Sequence, residues 1–395
     1  MNEIIYDMVY LLGCGVNGTT PESNIIQKYS MEQENLKLLY QISSAHLVDA
    51  ITGTVLKQAG VKLPAIWEQS IAKAVRKVIL FDAERAKLLA YMEQNKIWYL
   101  PLKGIILKDY YPSVGMRQMS DNDILFDDKH SDDIRNYMMS LGYQVESFGC
   151  SNHDVYKKKP VYNFEMHRAL YAVAHDSKWE TYYRGIKNKL ILNEGSSYGY
   201  HMSPEDFYIY IICHGCKHYR ESGTGIRTLL DFYVYLNKME QKMDFSYIEK
   251  ECEILGIAKY ERENRTICKK VFGEAGSVKD TGAERYSAIL SENEQKMFKY
   301  YLTSGVYGTT EQRVQNYMKN YETKGRKVSK AEYILRRLFP GKEEYQKYPI
   351  VNNYRWLLPG FWIYRILKTV CNKGDRKIIL RELKTVIKSA SSDKS

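Results

Sequence analysis

Apolar residues recur every three or four positions along the early part of the chain. They fall at Leu36, Leu38, Leu39 and Ile42, then Leu47, Val48, Ile51 and Val55, and again from Ala72, Val75, Val78, Ile79 and Phe81 to Leu89. Such spacing lays a stripe along one side of a helix, so residues 31–95 are predicted to be helical. Past Glu93-Gln94-Asn95 the period shortens. Ile97–Leu102 reads as a strand, Ile105–Tyr111 as a short helix stopped by Pro112, and Asp121–Phe126 as a second strand. Asp132–Leu141 reads as a helix with Gly142 at its C-terminal cap, and Tyr143–Ser147, Asp154–Lys159 and Tyr162–His167 as three further strands. The pattern predicts an α+β fold, a small mixed sheet with helices on it and helical regions on both sides.

Helical spacing returns after residue 200. Ser203 is a good N-cap, Pro204 suits the first helical position, and Glu205 and Asp206 favour the first turn. That helix is expected to run through Phe207, Ile211 and Ile212 to His214 and His218, with a glycine-rich break at 221–225 before a second helix over Ile226–Met239. Weaker helical pattern continues from Ile248 to Ala258 and on to Val271, and residues 275–325 are polar with loops expected near Gly305 and Gly308. The expected organisation is a helical region at 1–95, a core at 96–200, a helical domain at 201–323 and a C-terminal helical region at 324–395. No internal repeat is present.

Composition changes this picture in three places. The 395 residues are 44% hydrophobic and 27% charged, which fits a globular chain and excludes wholesale disorder. The seven cysteines are odd in number and scattered from Cys14 to Cys371, so they read as thiols of a reducing compartment, the cytoplasm, rather than a disulfide framework. The acidic start Met1–Asp7 lacks a basic leader and a long apolar core, so no signal peptide is expected. The most apolar stretch, Trp356–Val370, carries Arg365 and Lys368 and contains Pro359-Gly360, so no membrane span is expected.

The net charge of +11 is localised. Residues 324–395 hold 18 Lys or Arg against 6 Asp or Glu, which leaves the rest of the chain close to neutral. A basic segment of this kind attracts nucleic acid, anionic lipid or polyphosphate, or is simply a solvated face on helices anchored by Tyr333, Leu335, Leu338, Trp356, Leu357, Phe361 and Trp362.

The candidate chemistry lies in the predicted sheet. Residues i and i+2 of a strand share a face, so Asp121 and Asp123 point the same way while Ile124 and Phe126 anchor the strand. In the last strand Asn163, Glu165 and His167 alternate with Phe164 and Met166, which offers a third carboxylate. Three carboxylates on adjacent strands suit a hard cation, Mg²⁺ or Mn²⁺. Upstream, Pro101-Leu102-Lys103-Gly104-Ile105 is an apolar run ending in a Lys-Gly turn, which lets the chain approach a triphosphate and sets one positive charge against it.

This order of parts resembles the nucleotidyltransferase superfamily that includes DNA polymerase beta, where a strand ending in a glycine turn precedes a helix, an Asp-x-Asp strand and a third carboxylate. It is more similar to the bacterial nucleotidyltransferase family usually described as uncharacterised. Members of that family read Leu-Lys-Gly, an Arg shortly before Asp-Ile-Asp, then Glu-x-His; here these are Leu102-Lys103-Gly104, Arg117 with Asp121-Asn122-Asp123, and Glu165-Met166-His167. The resemblance continues through His214–His218, Arg227–Asp231, Phe339-Pro340, Leu358-Pro359 and Arg365, and so covers most of the chain after about residue 30.

The resemblance implies a minimal nucleotidyltransferase core that moves a nucleoside monophosphate from an NTP such as ATP to an acceptor hydroxyl or phosphate. It implies Asp121, Asp123 and Glu165 as metal ligands and catalytic residues, and Lys103, Gly104 and Arg117 on the phosphates. His214, His218, Arg227 and Asp231 would contact nucleotide or acceptor, or link two helices. Three roles stay open for His167: holding a substrate oxygen, ordering Glu165, or a structural one. Two departures stand out. Ile105 follows the glycine where the superfamily has Ser or Gly, which moves phosphate binding toward Lys103 and Arg117, and Asn122 replaces the apolar residue between the aspartates.

Other motifs are weaker. Cys213-His214-Gly215-Cys216 lies about ten residues past its helix start, where no helix dipole activates the thiol, and no second cysteine pair matches it for zinc. Lys157-Lys158-Lys159 is expected to guard a strand edge rather than bind triphosphate. No aromatic RNP motif or Gly-x-x-Gly loop is present, so a small-molecule, sugar or peptide acceptor is expected first and nucleic acid second. A regulatory or toxin–antitoxin-like protein that binds nucleotide without turnover is the alternative of another class.

Overall fold

The computed structural model describes residues 3–172, 177–273, 282–305 and 354–371, together with single positions between 308 and 351. The chain divides into two compact units, residues 1–216 with 225–306, and residues 217–224 with 307–395.

The first unit opens with five helices: α1 (Ile4–Asn17), α2 (Ser23–Met31), α3 (Gln33–Ala45), α4 (Asp49–Gln58) and α5 (Ala65–Gln94). The apolar stripes of residues 31–95 fall on α3, α4 and α5. Helix α1 carries no such stripe because it is buried almost all round, every residue from Ile4 to Val16 except Tyr6 being buried. Asn17 fixes its end, donating to the Phe272 carbonyl at 2.7 Å and accepting from the Tyr233 hydroxyl at 2.7 Å. Helices α4 and α5 meet at Gly53, where an added Cβ would lie 2.6 Å from the fully buried Trp67 ring.

The sheet follows as β1 (Tyr99–Pro101), helix α6 (Gly104–Leu107), β2 (Asn122–Phe126), helix α7 (Ser131–Ser140), β3 (Gln144–Ser147), β4 (His153–Lys158) and β5 (Tyr162–His167). Its order is β1-β2-β5-β4-β3, with β2 parallel to β5 and every other pair antiparallel. The fold is therefore the α+β arrangement the pattern predicts. Val78, Phe81, Leu88 and Met92 of α5, with Ile134 and Met138 of α7, pack on one face of the sheet against Ile124, Phe126, Tyr156, Phe164 and Met166. The alternate residues of β2, β5 and β4 point to the opposite face.

This order corrects one expectation. Lys157 and Lys158 do not guard an edge, because β4 is flanked by β3 and β5. Lys157 pairs across β3 with Glu146 at 2.6 Å, and Lys158 reaches Glu84 of α5 at 3.2 Å on the other face.

Beyond the sheet come α8 (Ser177–Tyr183), a ribbon of β6 (Ile191–Leu192) and β7 (Tyr200–His201), then α9 (Pro204–Arg220), α10 (Ile226–Met239), α11 (Phe245–Ile254), α12 (Ala258–Phe272), α13 (Ala283–Ile289) and α14 (Glu292–Ser304). Ser203 caps α9 as expected, its Oγ accepting from the Asp206 amide at 3.1 Å. Cys213 and Cys216 are both fully buried, which does not fit a redox thiol, and among the described residues neither belongs to a group placed to hold a metal ion.

In the second unit the described residues include α15 (Leu358–Cys371). Pro359 and Gly360 lie in its first turn and do not interrupt it, since a proline there has no helical partner to lose. Phe361 is buried, whereas Trp356, expected as an anchor, is 76% exposed. Tyr333, Leu338, Pro340 and most of the basic stretch 324–395 lie outside the described residues. Among the described residues no helix is long and apolar enough to cross a membrane.

Candidate active site

The site lies on the sheet face opposite α5 and α7. The parallel register sets Asp123 beside Glu165 and Leu125 beside His167, while Asp121 enters just before β2. Asp121, Asp123 and Glu165 each offer a carboxylate oxygen, and these atoms lie within 4.8 Å of one another. The structure thus brings together the three acids that the strand alternation points to one face.

Three negative charges so close, in a partly enclosed site, cannot all be held in the absence of a cation. Burial, then the neighbouring Asp123 charge, pushes Asp121 up to about 6. Burial and the charges of both aspartates push Glu165 up to about 7. Asp123 moves the other way: burial would raise it, but the hydrogen bond and charge of His167, with the charges of Lys103 and His153, together hold it low. His167 Nε2 lies 3.3 Å from Asp123 Oδ1 and 4.0 Å from Glu165 Oε2.

The Lys-Gly turn sits beside this cluster. The Leu102 amide donates to the Asp123 carbonyl at 2.9 Å, which ties the turn to β2. The left-handed residue of the turn is Lys103, at φ 29°, not Gly104, and such a conformation costs a non-glycine residue on the order of 1–3 kcal/mol. Lys103 Nζ lies 2.8 Å from His214 Nδ1 of α9. Burial pulls the Lys103 ammonium down to about 8, with the charges of Asp231 and Asp123 opposing.

Gly104 is required by a neighbour. An added Cβ would lie 2.9 Å from Arg117 Nη1 and 3.3 Å from Met119 Cε. Arg117 itself is committed to a buried fork with Asp231 of α10, Nε to Oδ1 at 2.8 Å and Nη2 to Oδ2 at 2.9 Å, and Tyr111 donates to the same carboxylate at 2.8 Å. Burial would raise Asp231, but the Arg117 charge and hydrogen bonds hold it down. Arg227, also on α10, donates to the Gln118 carbonyl at 3.2 Å, and its charge bears on Asp121. His218 belongs to the second unit, where its Nδ1 is 3.4 Å from Ser222 Oγ.

Asn122 is fully buried and accepts from Arg85 of α5 at 3.0 Å, so the departure between the aspartates serves the helix-facing side. Three residues of the site are invisible to motif reading. Lys77 of α5 donates to the Ser120 carbonyl at 3.1 Å beside Asp121, and burial lowers its ammonium against the pull of that acid. Tyr210, one turn before His214 on α9, is raised by burial and then by Asp123, Asp121 and Glu165. His153 opens β4 directly opposite His167; the strand predicted from Asp154 stops one residue short of it.

A small mixed sheet carrying convergent carboxylates beside a lysine turn is a geometry on which metal-assisted phosphoryl transfer can be built. The chain belongs, more particularly, to the family of uncharacterised nucleotidyltransferases, whose family model matches residues 32–273, and it is a transferase on that ground. No curated protein and no solved structure matches it.

Proposed function

We propose that the chain transfers a nucleoside monophosphate from an NTP to an acceptor hydroxyl or phosphate in the cytoplasm, with Mg²⁺ or Mn²⁺ held by Asp121, Asp123 and Glu165. The observation that carries this reading is the all-oxygen donor set of three carboxylates within 4.8 Å, the composition a hard dication prefers. When bound there, the cation would supply positive charge to the phosphoryl oxygens as the transfer proceeds.

The chain's own residues supply the rest. Lys103, Lys77 and Arg227 set a positive field at the acids, and Lys103 Nζ is the donor we assign to the triphosphate, exchanging its His214 contact for a phosphate oxygen. Arg117, already forked to Asp231, is assigned to hold the Lys103-Gly104 turn in place rather than to bind phosphate directly. The acceptor oxygen forms a bond to the α-phosphorus, the bond from that phosphorus to the bridging oxygen of pyrophosphate breaks, and the acceptor proton passes to Glu165 as base.

A small molecule, sugar or peptide is the favoured acceptor, since the sequence carries no RNA-recognition motif. Nucleic acid is second, on the basic stretch 324–395. Incubation with Mg²⁺ and labelled NTPs is expected to release pyrophosphate, with a loss of at least about a hundredfold in Asp121→Ala, the scale on which electrostatic catalytic groups act. Tight nucleotide binding with no turnover across a broad set of acceptors would instead favour the regulatory, toxin–antitoxin-like reading.

A further inference from the structure

We propose that His153, Glu165 and His167 form a second cation site, one that takes a first-row transition-metal dication such as Zn²⁺ in preference to Mg²⁺. The two histidines are directly opposed on the antiparallel β4–β5 pair, and their rings lie 5.0 Å apart, tilted by 35°. Glu165, two residues before His167, shares its face. Its Oε2 is 3.6 Å from His153 Nε2 and 4.0 Å from His167 Nε2.

Two donors on one zinc ion, each at the usual bond length, lie at most about 4.2 Å apart. Both measured separations fall inside that limit, and all three donor atoms lie within 4.8 Å of one another. Paired strands hold all three residues, so only small side-chain rotations separate this arrangement from a ligand set. Two imidazoles and a carboxylate are donors for zinc and its neighbours; Mg²⁺ takes oxygen and keeps water.

Glu165 belongs to both groups of acids and histidines. A carboxylate has two oxygens and bridges ions roughly 3.5–4 Å apart in two-metal centres. The sheet therefore offers an oxygen-lined position on the β2 side of Glu165 and an imidazole-lined one on the β4 side. The competing role for His167 is as a hydrogen-bond donor to Asp123, with no metal of its own.

The second site goes beyond the transfer reaction and is tested without it: occupancy is read by metal binding with no nucleotide present, whereas the transfer reading rests on pyrophosphate release with Mg²⁺ alone. The full chain, saturated with Mg²⁺ to fill the oxygen-lined position, is titrated with Zn²⁺ against a chromophoric chelator. The wild-type chain is expected to retain one Zn²⁺. His153→Ala, His153→Gln and His167→Ala are each expected to weaken it at least about tenfold, while Asp121→Ala stays within about threefold, since loss of a ligand costs more than loss of a neighbour. Thermal melting identifies which variants are folded, and either His153 substitution alone suffices for the comparison. The proposal is overturned if the wild-type chain retains no Zn²⁺ over Mg²⁺, if a folded His153 variant binds as well as wild type, or if Asp121→Ala loses as much as His153→Ala.

Discussion

Two carboxylates of the cluster, Asp121 at about 6 and Glu165 at about 7, hold protons that a cation must displace. Each displaced proton makes cation affinity fall by up to about tenfold per pH unit below the pKa concerned. Mn²⁺ binding followed by electron paramagnetic resonance is therefore expected to change little from pH 8 to about 7, to weaken from about 7 to about 6, and to weaken more steeply below about 6. Glu165→Gln should bind Mn²⁺ more weakly at pH 8 and show a flatter profile; an affinity constant over that range in the wild-type chain would contradict the proton inventory. At this scale the sequence was a good guide where residues alternate on one strand: spacing puts Asp121 with Asp123 and Glu165 with His167 on one face each, and the order of neighbouring motifs joins the two pairs. It was a poor guide where the partner is remote. Lys77 comes from a helix that precedes the sheet, and its place beside Asp121 follows from how α5 lies on the strands. Arg117 could be marked as a cation near the acids, but its partner Asp231 is on α10, so its neutralised state could not be foreseen.

The helices and strands were largely legible, because amphipathic periodicity survives wherever one face is buried and the other wet. Where that asymmetry is missing, pattern reading fails. Helix α1 is buried on nearly every side and so has no stripe, and β4 is internal because β3 and β5 pair along its two edges, while the parallel pairing of β2 with β5 is a topology that no local run of residues encodes. Close helix contacts are also hidden in the pattern. Gly53 permits α4 to lie against Trp67 of α5, and a methyl group there would fall 2.6 Å from a rigid ring carbon. Gly53→Ala is expected to destabilise the protein by about 1–3 kcal/mol, since overpacking outweighs the gain of up to about 1 kcal/mol in helix propensity. Denaturant unfolding would measure this, and an alanine variant as stable as wild type would show that the two helices separate at little cost.

At the scale of the whole molecule, stability should depend on pH through a residue remote from the acids. His46, at the end of α3, is 3% exposed, and burial lowers it to about 4, although a hydrogen bond to the Leu302 carbonyl of α14 pulls the other way. Its pKa in the folded chain is below the unfolded value, so the unfolded state takes up the proton first. Stability from this residue is complete above about pH 6.5 and is lost as the pH falls toward about 4, by about 3 kcal/mol in all. Other groups titrate in the same range, so the check is the difference between wild type and His46→Gln: the gap in unfolding free energy should change by that amount between pH 7 and pH 4.

The parallel pairing of β2 with β5 has a further consequence, one of time. Asp123 and Glu165 are separated along the chain by α7 and by the hairpin of β3 and β4, and they become neighbours only when that long loop closes. Local hairpins tend to form before such closures, so the acidic cluster is expected to form late as the chain folds. A cation that binds there is therefore expected to slow unfolding and to leave the folding rate nearly unchanged, which folding and unfolding rates measured with and without Mn²⁺ would check.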